Sequence, residues 1–172
     1  MLCSLAIIVG CGGSPPPPPP QRPQEPAPLG PLASLIPADA TVVVLANPAA
    51  LLASEATGRV VRAIFPDEQL DRFRIRTGVD PRERDELVIG VHPEGSVALA
   101  RGPIDAIFAI REAGDRMAPL ESSVDGPRPR RAGFLGPRRS DLAALASDVV
   151  MWVEGTPQLA AAVLAAAEVP AG

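Results

Sequence analysis

Apolar residues along this chain come in short runs, separated by Gly, Pro and charged turns. Thr41-Val42-Val43-Val44-Leu45-Ala46 is β-branched and continuously apolar, which predicts a strand buried on both faces and central in its sheet. Asn47-Pro48 follows as an N-cap and a proline at the first helical position, opening a helix through Leu51 and Leu52. Gly58 is a point of interruption, after which Val60, Val61, Ile64 and Phe65 repeat at helical spacing. Pro66-Asp67-Glu68 starts a further helix with Leu70 and Phe73 facing inward, Glu68 and Arg72 paired one turn apart, and Gly78 as its stop.

Asp80-Pro81 begins a polar turn over 80–85. Residues 86–92 predict a strand, Pro93-Glu94-Gly95 a tight turn and residues 96–101 an antiparallel return. Residues 103–113 fit a helix through Ile104, Ile107 and Phe108 to Gly114, or a strand with Ile104, Ala106, Phe108 and Ile110 alternating; we take the helix. Residues 115–140, rich in Pro, Gly and Arg, predict a long loop with one short strand near 133–135. A helical turn over 141–146 precedes a strand over 148–153, in which Trp152 is a core anchor. Thr156-Pro157 caps a last helix whose apolar face is Leu159, Ala162, Val163 and Ala166. This order predicts an α+β fold: a largely antiparallel sheet with helices packed on one face.

The N-terminal pattern is different. Residues 2–9 form an apolar run broken only by Ser4, too short to span a bilayer, which needs about 20 residues. It suits the apolar core of a secretion signal. Gly10-Cys11-Gly12-Gly13-Ser14 follows, then six prolines, Pro15 to Pro20. Half of the 22 prolines lie in 15–37. Proline fixes φ and lacks an N–H, so this segment predicts polyproline II, a semi-rigid spacer reaching roughly 70 Å at ~3.1 Å per residue. A proline-rich run can also be a ligand for aromatic grooves. After a candidate anchor the tether is the simpler reading. The expected organisation is a signal over 1–10, a Cys followed by a Pro-rich linker over 11–37, and one α+β domain over 38–172.

Ile8-Val9-Gly10-Cys11 resembles the bacterial lipobox. That resemblance implies cleavage between Gly10 and Cys11 and a lipid on Cys11. It also implies residence in the bacterial cell envelope, anchored to the membrane by that lipid. In such lipoproteins an Asp after the Cys commonly marks inner-membrane retention. Gly12 stands there, which favours the outer membrane, with the domain exposed to the periplasm or the cell surface. The basic residues that normally precede the apolar core are missing, so a start upstream of Met1 is expected. The stretches Leu35-Ile36-Pro37-Ala38-Asp39-Ala40, Thr77-Gly78-Val79-Asp80-Pro81 and Val153-Glu154-Gly155-Thr156-Pro157 are similar to those of uncharacterised exported and lipid-anchored proteins of GC-rich bacteria. This likeness implies envelope location and a repeat-like α+β domain, implies no activity, and leaves open a continuation beyond Gly172.

Composition narrows the chemistry. The 172 residues are 47% hydrophobic and 21% charged, which suits one folded domain rather than a disordered chain. The net charge of −4 gives no support to a nucleic-acid partner. All 16 basic residues are Arg, consistent with a GC-rich genome, which weakens any argument from Arg counts. One His and two Cys cannot build a four-ligand zinc site, and Cys3 and Cys11 at the extreme N-terminus cannot staple a domain, so no metal or other cofactor is expected.

Three constellations remain. His92 with neighbouring carboxylates such as Glu94 would suit a general base in a periplasmic enzyme or enzyme remnant, against the plainer reading of a surface histidine at a strand end. Asp80, Glu83, Asp85 and Glu86 crowd one turn, but they lack the spacing of a calcium loop, and Arg82 and Arg84 interleave to neutralise them. Arg128, Arg130, Arg131, Arg138 and Arg139 fall together with no acid between them, a candidate patch for anionic lipid or another envelope macromolecule, against a solvated loop. The leading expectation is a non-enzymatic lipoprotein with a structural or ligand-binding domain, and no catalytic residue is assigned.

Overall fold

A computed structural model describes residues 31–123 and 129–168. Cys11, Gly10, the six prolines and Arg128 lie outside the described residues.

The chain is α+β. After a 3-10 turn, Pro31–Leu35, come β1 (Val42–Ala46), α1 (Pro48–Ala53), α2 (Glu55–Ile64) and α3 (Asp67–Thr77). A second 3-10 turn, Pro81–Glu83, leads into β2 (Glu86–His92) and β3 (Gly95–Arg101), then α4 (Ala106–Gly114). The remaining elements are β4 (Ala118–Ser123), β5 (Arg130–Leu135), β6 (Arg138–Ala146), β7 (Val149–Glu154) and α5 (Pro157–Glu168). Among the described residues the strands form one seven-stranded sheet, β1-β2-β3-β7-β6-β5-β4, antiparallel at every pairing. Two meanders, β1-β2-β3 and β4 to β7, therefore meet at the β3–β7 seam.

The caps follow local chemistry. Asn47 accepts from the Ala50 amide at 2.8 Å and starts α1. Asp105 caps α4 by accepting from the Phe108 amide at 2.9 Å, so the helix starts at Ala106 rather than at residue 103. Gly78 ends α3 in the left-handed conformation. The break between α1 and α2 falls at Ser54, and α2 runs through Gly58.

Several expectations are corrected. The valine-rich strand β1 is an edge, not the centre, and Val42, Val43, Val44 and Leu45 are 41–51% exposed. The centre is β7, with Val149 to Val153 all buried. A continuous apolar run fits either place; the pairing of β7 with β3 leaves β1 without an outer neighbour. Within 115–140 the short strand expected near 133–135 is the end of β5, but the described residues around it are not a long loop, because β4 lies there, β5 starts at Arg130 and β6 begins at Arg138. The segment 141–146 is strand rather than helical turn. Its Ala and Leu residues favour helix, but Leu142, Ala143 and Ala144 gain burial in the sheet, and tertiary packing overrides propensity.

Helices cover both faces of the sheet rather than one. Successive residues of a strand point to opposite sides. Val97, Leu99, Met151, Val153 and Ala143 pack with Leu159, Ala160 and Val163 of α5 and with Leu32 and Ala33. Ala100, Leu142, Ala144, Val150 and Trp152 pack with Ala106, Ala109, Ile110 and Ala113 of α4. Trp152 is the expected anchor, 7% exposed. On α5, Ala162 faces outward and Ala160 takes the inward place. Phe73 is half-exposed, and α2 leaves Val60, Ile64 and Phe65 largely open. The folded unit includes the Pro31–Leu35 turn, because Leu32, 2% exposed, fills the core under α5. The last residues of the expected 11–37 linker thus belong to the domain. No helix among the described residues is long and apolar enough to cross a membrane.

Candidate functional site

His92 closes β2 opposite Gly95, on the α5 side of the sheet. The side chain is fully buried, not at the surface. Its partner is Asp39, in the turn before β1, whose Oδ1 lies 3.1 Å from Nδ1. An ionised carboxylate only accepts, so the proton sits on Nδ1. Nε2 faces Gly90, where a Cβ would lie 3.1 Å away, and has no hydrogen-bond partner among the described residues. Glu94, the expected neighbour, turns away and accepts from Thr156 Oγ1 at 2.9 Å. The histidine therefore fastens the segment before β1 onto β2. Asp39, 53 residues earlier in the chain, was not predicted as its partner; no local signal connects them.

An open groove of about 490 Å³ runs past the end of this hairpin, lined by Pro93, Glu94, Ser96, Arg138, Arg139 and Glu154. The sheet brings two expected arginines to it. Their charges are already met: Arg138 Nη1 lies 3.4 Å from Glu154 Oε2, and Arg139 Nε lies 3.1 Å from Asp141 Oδ2. Arg130, on the neighbouring strand, donates to the other oxygen of Asp141 at 2.7 Å. Arg131 points to the opposite face and leans across Gly114 of α4. The basic run is therefore not one patch. Strand alternation splits its described members between two faces, and Asp141, two residues beyond its end, neutralises Arg130 and Arg139.

The acidic turn is likewise bonded within itself. Asp80 accepts from the Arg82 amide at 3.0 Å, which caps the Pro81–Glu83 turn, and from the Arg82 guanidinium at 2.9 and 2.8 Å. Arg82 also reaches Asp71 on α3 at 2.7 Å. Arg84, 3% exposed, donates to the Asp80 carbonyl and to Glu83. Glu86 pairs with Arg101 across β2 and β3 at 2.6 Å. No cluster of His, Cys, Asp or Glu among the described residues is arranged to hold a metal ion.

Burial opposes ionisation of Asp80. The hydrogen bonds and charge of Arg82, helped by Arg74, outweigh it and hold the carboxyl below its ordinary value. The same contacts raise the Arg82 guanidinium. A depressed folded-state pKa adds stability above the unfolded value, about 3.9 for Asp, and that stability is lost as pH falls through the folded value. Asp80→Asn is accordingly expected to be less stable than wild type at neutral pH, with the gap closing as the solution is acidified. Urea midpoints measured from pH 7 down to pH 2.5 check this; a gap that stays constant would contradict it.

A second groove of about 490 Å³ lies on the α3 face, with Phe73, Ile89, Ala98 and Trp152 as an apolar floor and Gln69, Arg72, Ser96 and Glu154 at its rim. It is shallow and open, and continues toward Val42, Val44 and Val91, which share this face by register.

Comparison with family models, with curated proteins and with solved structures found no match to this chain. Function must therefore be argued from the residues themselves.

Proposed function

We propose that this chain is a membrane-anchored lipoprotein of the bacterial cell envelope, lipidated on Cys11 and acting by binding or structural support rather than by catalysis. The observation that carries this reading is an order: an apolar run, Gly10-Cys11, six prolines, then a domain whose core, among the described residues, starts with Leu32. Each part needs the next. Acyl chains contribute about 0.8 kcal/mol per buried CH₂, so two or more hold a protein firmly at a bilayer. A stiff proline spacer then keeps the domain clear of the head groups. The absence of Asp after the Cys favours the outer membrane.

His92 is placed as a structural clamp, with Nδ1 tied to Asp39 and the ring buried, so the domain's exposed chemistry is apolar strand and groove. The arginines at the groove end remain reachable by an anionic head group only in competition with Asp141 and Glu154.

Cys11→Ser should move the protein from the detergent-extracted membrane fraction to the aqueous fraction and abolish palmitate labelling. Mass spectrometry of the wild-type N-terminus should find a chain beginning at acylated Cys11. Wild-type protein that stays in the aqueous fraction with the first ten residues attached would refute the anchor.

A further inference from the structure

Natural sheets protect their edges with charge, proline, bulges or covering segments, because an open edge offers unpaired N–H and C=O groups to any other strand. The two edges of this sheet differ. β4 carries Pro119, Glu121 and a register shift between them. β1 has none of these devices. Val42-Val43-Val44-Leu45-Ala46 contains no charge and no proline, and it pairs with β2 in unbroken register.

Neither flanking segment covers the outer side. Before β1, Asp39 is held inward by His92 of β2. After β1, the Ala49 amide donates to the Arg84 carbonyl at 3.1 Å, which draws α1 back beneath the start of β2. Both ends of the strand are thus pulled toward β2. Among the described residues the outer edge is open, and four consecutive large apolar residues are 41–51% exposed.

We propose that this edge is a homodimer interface, with β1 pairing antiparallel to β1 of a second copy about a two-fold axis at Val44. The strand is complementary to itself. In that register Val44 meets Val44, Val43 meets Leu45 and Val42 meets Ala46. Every cross-strand pair is apolar on both faces, and no like charges meet. Residues of even number keep to one face across the axis. The exposed Val42, Val44 and Val91 of the two copies, beside Phe73 of each, then merge into one floor between the two α3 helices. The joined sheet would have fourteen strands, twice the seven of one copy, and would stay antiparallel throughout. A five-residue strand pair is a small interface against the about 1,200–2,000 Å² of stable complexes, so the test is made at high protein concentration.

Cross-linking by introduced cysteines tests the register. The experiment uses the full chain with Cys3→Ser and Cys11→Ser, which leaves the introduced thiol alone and removes any dependence on the lipid anchor. Two-fold pairing places the Val44 Cα atoms about 5 Å apart, within disulfide reach. The two Val42 positions are four residues apart along the strand, about 13 Å, beyond reach. Under mild oxidation Val44→Cys should give a covalent dimer in high yield and Val42→Cys should not. Val44→Lys should elute as a monomer where the unsubstituted background elutes as a dimer, with an unchanged circular dichroism spectrum. A monomeric background, equal cross-linking of the two cysteine variants, or a different protein co-purifying on this edge would each overturn the proposal. Failure of the anchor reading would leave all of these results untouched.

Discussion

Gly95→Ala is expected to lower stability by about 3–4 kcal/mol, a large share of the 5–15 kcal/mol typical of a domain. Gly95 opens β3 at φ +155°, where a side chain is strained before any contact is considered. Contact is the larger difficulty. A Cβ at this position would lie 2.0 Å from the Glu154 carbonyl oxygen and 2.8 Å from the Gly155 Cα. Gly155, at φ +148°, meets Glu94 and Gly95 in return, with a Cβ 2.5 Å from the Glu94 carbonyl oxygen. The two Glu-Gly steps lie backbone against backbone. One is the β2–β3 turn and the other joins β7 to α5. These neighbours are all main chain, so no rotamer change can relieve the clash. Gly136→Ala is the control: at φ +67° with open space around it, it tests conformational strain alone and should cost about 1 kcal/mol. Urea midpoints of the two variants separate the terms, and equal losses would show that the close approach is unimportant.

Asp141→Ala should cost about 2–3 kcal/mol. Asp141 is 1% exposed on β6 and holds Arg130 with one oxygen and Arg139 with the other. Removing it leaves two guanidinium groups side by side with no acceptor between them. Complete burial of the whole triad would place the loss at 3–5 kcal/mol. The arginine side chains are 31% and 23% exposed and can regain some water, which sets the lower figure. A double-mutant cycle with Arg130→Ala should show a coupling above 1 kcal/mol, because the carboxylate and that guanidinium act as one unit. Thermal melts of the four proteins give the coupling directly. Additive losses would mean that Asp141 acts through the backbone instead.

The helix caps, the β2–β3 hairpin and the Trp152 strand follow from short-range chemistry: Asn47 before Pro48, Gly78 after Thr77, Pro93-Glu94-Gly95 between two alternating runs. Of the strands β4 to β6 only the end of β5, near 133–135, followed, because the prolines, glycines and arginines of the rest resemble loop composition and the alanines resemble helix. Burial against α4 and α5 decided those residues, and burial is set by partners far away in the chain.

The candidate chemistry divides in the same way. The acidic turn neutralises itself through Arg82 and Arg84, as their interleaving predicts, since the partners lie within a few residues. His92 with Asp39, and Arg130 with Asp141, are pairs made by strand pairing and by the return of the chain before β1.

The sequence alone determined the order of apolar run, Gly10-Cys11, proline run and α+β domain, because each is written in contiguous residues. Only the tertiary structure decided which apolar strand lies at the centre and which at the edge. Hydrophobic pattern states that a strand seeks burial; the pairing partners β3 took up determine where that burial is found. Among the described residues the Val42–Ala46 strand pairs with β2 alone, and that place at the edge is invisible in its own apolar pattern.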